Sequence, residues 1–200
     1  EGPHVTGQLS KASADRLGLP VVPIVAGGGD QAAGAIGAGV TQAGEASLSL
    51  GTSGVLFTVT DRIRPNPDEA THAFCHALPD TWHQMAVMLS AASAVDAVAQ
   101  MTGFATPQAA YAAAKAYGSS DGVLLLPYLT GERTPHDNPY ASGVFFGLRS
   151  NTPPAALVHA ALEGVAFAFV DGRDALARAG GSFAHTSVIG GGARSAYWGR

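Results

Sequence analysis

The chain has 200 residues, with 46% apolar residues, 26 glycines and only 13% charged residues, about half the usual ~25%. That balance excludes disorder and coiled coil. Eleven Lys and Arg against fifteen Asp and Glu leave a net charge of -4, so no basic face is available for a phosphate backbone, and nucleic acid is not expected as a partner. A single cysteine, Cys75, allows no internal disulfide and suits a reducing compartment. The window 84–101, read as the most apolar long stretch, contains Asp96, and no membrane span is expected. The first residue is Glu1 without a basic and apolar leader, which points to an internal piece of a longer chain.

In chain order, Ser10 to Leu17 is predicted as a short helix closed by Gly18, and Val21 to Ala26 as an apolar strand with Pro23 at a bulge or edge. Gln31 to Ala38 resumes as a small-residue helix, and the turn Thr41 to Gly44 divides the chain into units 1–40 and 41–200. Alternation from Glu45 predicts a hairpin around Gly51-Thr52-Ser53-Gly54, and a second hairpin pairs Phe74 to Leu78 with Trp82 to Met88. Helices follow over Ala91 to Thr102 and Pro107 to Tyr117. Val123 to Leu126 reads as a short buried strand, and Pro127 to Tyr140 as a long loop of the kind that usually carries function. Pro153 and Pro154 open a long helix reaching Ala179, with Gly180 as its stop. A strand over His185 to Ile189, the turn Gly190-Gly191-Gly192 and a helix from Arg194 complete an α/β architecture, and a terminus at Arg200 inside a starting helix again points to truncation.

The glycine turns carry the chemistry. Gly27, Gly29 and Ala32 fit a dinucleotide fingerprint between strand and helix, but Asp30 puts a carboxylate where a pyrophosphate would sit, and no acid ends the next strand. Asp30 suits a general base aimed from a rigid strand end into a cleft; the alternative is an N-cap. Gly51-Thr52-Ser53-Gly54 is either an anion-binding nest with hydroxyl help or an ordinary hairpin turn. Gly190-Gly191-Gly192 either lies flat against a nucleotide or is a tight turn. Together these are the parts for phosphoryl transfer by positioning and electrostatics.

The stretches VVPIVAGGGDQAAGAIGAG, SLSLGTSGVLF, FCHALPDTWHQMAVMLSAAS, LLPYLTGERTPHDNPYASGVFFGL and VIGGGARSAYW resemble, in order, those of the FGGY carbohydrate kinases, and most closely the branch that phosphorylates D-xylulose. The resemblance covers nearly the whole chain from Val21. It implies an actin-like, ribonuclease H-like fold with a mixed sheet and flanking helices, residues 1–40 closing a sugar-binding domain and 41–200 forming an incomplete nucleotide-binding domain. It also implies Asp30 as proton acceptor, Gln31 against sugar hydroxyls, Gly51, Thr52 and Ser53 against ATP phosphates, and Gly191, Gly192 and Ala193 against adenosine. The cofactors it implies are ATP and Mg²⁺, the partner a small sugar, and the location cytoplasmic; a homodimer is left open. Other substrates within the family (ribulose, gluconate, glycerol) and a non-catalytic actin-like nucleotide-binding module are the rival readings. The piece alone is not expected to turn over.

His72, Cys75 and His76 look like a metal cluster, but strand alternation sets Cys75 opposite the histidines, so no metal ligand is assigned and Cys75 is expected to be buried. Glu132, Arg133, His136 and Asp137 either help close the loop over the nucleotide or form surface ion pairs, and a loop-ordering role is expected.

Overall fold

A computed structural model describes residues 2–199. Strands β1 (Val5–Gln8) and β2 (Pro23–Val25) form an antiparallel ribbon, with α1 (Lys11–Leu17) between them in sequence. The Ser10 hydroxyl accepts the Ser13 N–H at 3.2 Å and Gly18 takes the left-handed conformation, so both ends of α1 are satisfied as its sequence requires. Pro23 opens its strand, where its missing N–H costs no ladder bond. Helix α2 (Asp30–Gly37) leads into the main sheet.

That sheet holds β3 (Glu45–Leu50), β4 (Gly54–Thr60), β5 (His72–Cys75), β6 (Trp82–Met88) and β9 (His185–Ile189), in the order β5-β6-β4-β3-β9. All neighbours are antiparallel except β3 and β9, which run parallel. Alternation sorts the side chains. Phe57, Val59 and Met85 bury against Ala35 and Val40 of α2 and the residues after it. Leu56, Ala86 and Met88 face the other way, toward α3 (Ala92–Met101), α4 (Pro107–Tyr117) and α5 (Pro154–Arg178), where Val95, Val98, Val165 and Phe169 extend the larger core. Each such side chain contributes about 1.5–3 kcal/mol on burial, so the α3–α5 face carries most of the apolar stabilisation. Gly172 lets α5 lie directly on β6, because a Cβ there would stand 3.0 Å from the Ala86 Cβ. A second ribbon pairs β7 (Leu124–Leu126) with β8 (Val144–Phe146).

Several expectations need correction. The second hairpin begins earlier, with Cys75 opposite Trp82 as its closing pair, because Pro79 cannot donate and Asp80 has a positive φ of 52°. Cys75 is exposed, since it ends the edge strand, whereas His76 is buried. β7 is not buried throughout; Leu124 and Leu126 are exposed. The ribbon strands β1 (four residues) and β8 (three) were not expected from the sequence. No helix forms from Arg194: Gly192–Arg194 makes one 3-10 turn, and the segment then bends so that the Trp198 indole N–H donates to Leu162 O at 3.2 Å and Tyr197 bonds His159 at 3.0 Å. Arg200 lies outside the described residues.

The membrane reading also overlooked α5, the one helix among the described residues long and apolar enough to cross a bilayer. Its apolar residues are accounted for by packing, with Val158, Leu162, Val165 and Leu176 in the core.

Candidate active site

Asp30 is the first residue of α2, and Gly29, extended with ψ 159°, holds the capping position without a side-chain bond. The N-cap alternative for Asp30 is therefore overturned. Its carboxylate is exposed and has no hydrogen-bond or ion-pair partner among the described residues. A cavity of about 500 Å³ opens beside it, lined by Gly29, Asp30, Gln31 and Ala32 on one side and by Phe74, Cys75, His83 and Met85 on the other. The floor of this cavity is closely packed. His83 is 4% exposed and stacks on Phe57 with ring centroids 4.5 Å apart. Burial first, and the neighbouring His76 second, pull its pKa down to about 4, so the imidazole is neutral at pH 7. Sequence reasoning passed over His83; its signal was a histidine on the inward side of an alternating strand.

At the other end of β4, Leu50 and Gly54 close the first hairpin. The Gly51 N–H donates to Ser53 O at 3.1 Å, so Gly51 does not offer its amide to a ligand. Thr52 and Ser53 are exposed, and their N–H groups have no partner among the described residues. The turn's carbonyls face the N-terminus of α3. Thr52 O accepts the Ala91 and Ser93 N–H groups at 3.0 and 3.3 Å and the Ser93 hydroxyl at 2.7 Å, while Gly51 O accepts Ala92 N–H at 3.0 Å. Donors that a helix start would leave unsatisfied thus anchor the turn and leave its own amides outward.

The parallel pairing of Ser49 with Ile189 sets Gly190 directly beside this turn. Gly190 has φ 92°, and a Cβ there would stand 2.7 Å from Leu50 O, so the position needs glycine on both counts. Gly191 faces open space and Ala193 is exposed, while Gly192 approaches Leu50 and Trp198. The structure therefore brings the two glycine turns together at one end of the sheet. Asp30 and Gln31 stand apart from them. Met85 and His83, in the Asp30 cavity, pair with Phe57 and Val59, three and five residues along β4 from Gly54, spacings of roughly 10 and 17 Å toward the far end of the strand.

Loop 127–140 holds a buried acid. Glu132 is 2% exposed; its Oε1 accepts the Leu89 and Arg133 N–H groups, each at 2.8 Å, while Oε2 is buried without a partner. Burial pushes its pKa up, against the lowering pull of those two amides. This acid binds backbone rather than a surface cation. Arg133 meets His72 at 3.2 Å and His136 meets Tyr128 at 2.9 Å. Among the described residues, no three His, Cys, Asp or Glu side chains gather to hold a metal ion.

A mixed sheet flanked by helices, with glycine turns at adjacent strand ends, is the frame of the actin-like ATPases. A solved structure described as a xyloylose kinase from Brucella ovis superposes with TM-score 0.90 at 45% identity over 99% of this chain and 41% of its own, and a xylulose kinase from Rhodospirillum rubrum with TM-score 0.87 at 28% identity over 98% and 40%. Residues 46–200 match the C-terminal domain of the FGGY family of carbohydrate kinases. The chain belongs to that family. Xylulose kinase of Escherichia coli strain K12 is 52% identical over 99% of this chain. The chain spans about two fifths of the length of the curated relatives it matches, 41% of the Escherichia coli protein.

Proposed function

We propose that the full protein carrying this chain transfers the γ-phosphoryl group of ATP to the 5-hydroxyl of D-xylulose, with Asp30 taking the hydroxyl proton. The observation that carries this reading is the Asp30 carboxylate: exposed, unpaired, relieved of capping by Gly29 and set on a cavity with room for a sugar. A nucleotide-binding module without chemistry has no use for such a group. In this reading its contribution comes from being held within reach of one hydroxyl.

In this reading Thr52 and Ser53 bind phosphate oxygens through free amides and hydroxyls, and Gly51 shapes the turn. Gly191, Gly192 and Ala193 lie along the adenosine, and Gln31 bonds a sugar hydroxyl. Residues 1–40 then end the sugar-binding domain and 41–200 belong to the nucleotide-binding domain. Mg²⁺, where bound, would offset charge on the transferring phosphoryl group; no residue of this chain is assigned to hold it. A single cysteine suits a reducing compartment, and the cytoplasm is the location in this reading.

The test is ATP consumption by the full protein and its Asp30→Asn variant with D-xylulose, L-ribulose, glycerol and gluconate. Asp30→Asn is expected to lower kcat about 10²- to 10⁴-fold, or about 3–5 kcal/mol of barrier, without changing the fold. Equal turnover by both proteins removes Asp30 as base, and preference for another substrate moves the assignment to another branch.

A further inference from the structure

Three consecutive residues at the junction of β6 and α3 are each pinned by something distant in sequence. The Leu89 N–H donates to Glu132 Oε1 at 2.8 Å, the Ser90 hydroxyl meets the Thr130 hydroxyl at 3.0 Å, and the Ala91 N–H donates to Thr52 O at 3.0 Å. Two anchors therefore come from loop 127–140 and the third is the Gly51-Thr52 turn. The loop is itself fastened independently. Glu132 and Asn138 exchange backbone bonds at 2.9 and 2.8 Å, and Thr134 Oγ1 accepts from Val87 N–H at 3.0 Å while donating to Ala70 O at 3.0 Å.

We propose that Glu132 is a positioning residue for the phosphate turn: by holding Leu89 it fixes the junction from which Ala91, Ala92 and Ser93 grip Thr52 and Gly51, and so sets the direction of the free Thr52 and Ser53 amides. The inference rests on the reading of that turn as a phosphate site. Its physical basis is the asymmetry of the carboxylate. One oxygen holds two backbone amides, while the other is buried with no partner, an arrangement costly to maintain in a loop that only has to cover a surface. Neither Asp30 nor its cavity is part of this chain of bonds, so the effect should fall on ATP and spare the sugar.

The experiment is steady-state kinetics on the full protein, varying ATP and D-xylulose separately, with thermal melts as a check on folding. Glu132→Ala is expected to raise KM for ATP about tenfold while KM for the sugar stays within about twofold. Glu132→Gln retains an oxygen for the Leu89 N–H and is expected to recover KM for ATP to within about threefold of wild type. Should Glu132→Ala fail to fold, Thr130→Val removes the Ser90 anchor alone, and a rise in KM for ATP of about threefold without a change for the sugar supports the proposal. A folded Glu132→Ala with both constants unchanged, both rising together, or no effect of Thr130→Val overturns it while leaving the kinase reading intact. A wild-type protein that consumes no ATP with any of the four substrates overturns both.

Discussion

The molecule holds two carboxylates in opposite circumstances. Asp30 stands exposed at the rim of a cavity with no bonded partner, whereas Glu132 is enclosed, bonded to two amides and forced toward its neutral form by burial. The difference separates two tasks. A group that must exchange a proton with a substrate needs access and freedom from other bonds, while one that must hold backbone in place needs enclosure. Their surroundings distinguish them.

The strongest way to sharpen that contrast is through the floor beneath Asp30. His83 has a folded pKa of about 4 against 6.5 when unfolded, so the unfolded chain binds a proton that the folded one refuses between those values. Stability from this residue is fully present above the unfolded value and is lost as pH falls through 6.5 toward about 4, by on the order of 3 kcal/mol. His83→Phe, which keeps the stack on Phe57, is expected to flatten this dependence. Urea unfolding near neutrality and near the lower value measures it; an unchanged slope would mean that His83 is hydrated when folded.

Stability of paired alanine variants breaks the comparison more directly. Glu132→Ala leaves the Leu89 and Arg133 amides without their acceptor and is expected to cost about 2 kcal/mol, part of the loss being returned by removal of a buried acid. Asp30→Ala is expected to change stability by less than about 0.5 kcal/mol, as for other surface substitutions. Similar losses in denaturant melts would place both acids in structural roles. A smaller effect than at Glu132 is expected at Ser93, whose hydroxyl bond to Thr52 O is exposed. Ser93→Ala should cost about 0.5–1 kcal/mol, with faster hydrogen exchange at Ala91 and Ala92 as the local readout.

Much of the frame was legible in the sequence. Ser10, Pro107 and Pro154 marked helix starts, Gly18 and Gly180 helix stops, and alternation from Glu45 gave the first hairpin, because these signals act within a few residues of themselves. The glycine turns were visible for the same reason. Which of the hairpin's residues share a face was not given, since Leu48 lies opposite Leu56 while Val55 and Phe57 lie opposite Ser49 and Ser47. What lay beyond reach was decided by distant partners: the length of β5 by Trp82 and Pro79, the exposure of Cys75 by its place at a sheet edge, and the bend after Arg194 by Leu162 and His159. The use of the Gly51 amide within its own turn was equally hidden, since a tetrapeptide of that composition permits either fate. Glu132 was singled out for its loop, but its burial required knowing that Leu89 would lie against it.

The parallel strand β9 joins β3 across some 140 residues of chain, the difference between Glu45 and His185 in their register. Closing so long a loop brings little reward until most of the intervening structure exists, so this pairing belongs late in assembly. The second glycine turn reaches the first only through that pairing. Docking a nucleotide across both turns would thus act as a clasp on the final step of folding, and hydrogen exchange in β9 should slow on adding ATP more than in the locally formed β3–β4 hairpin.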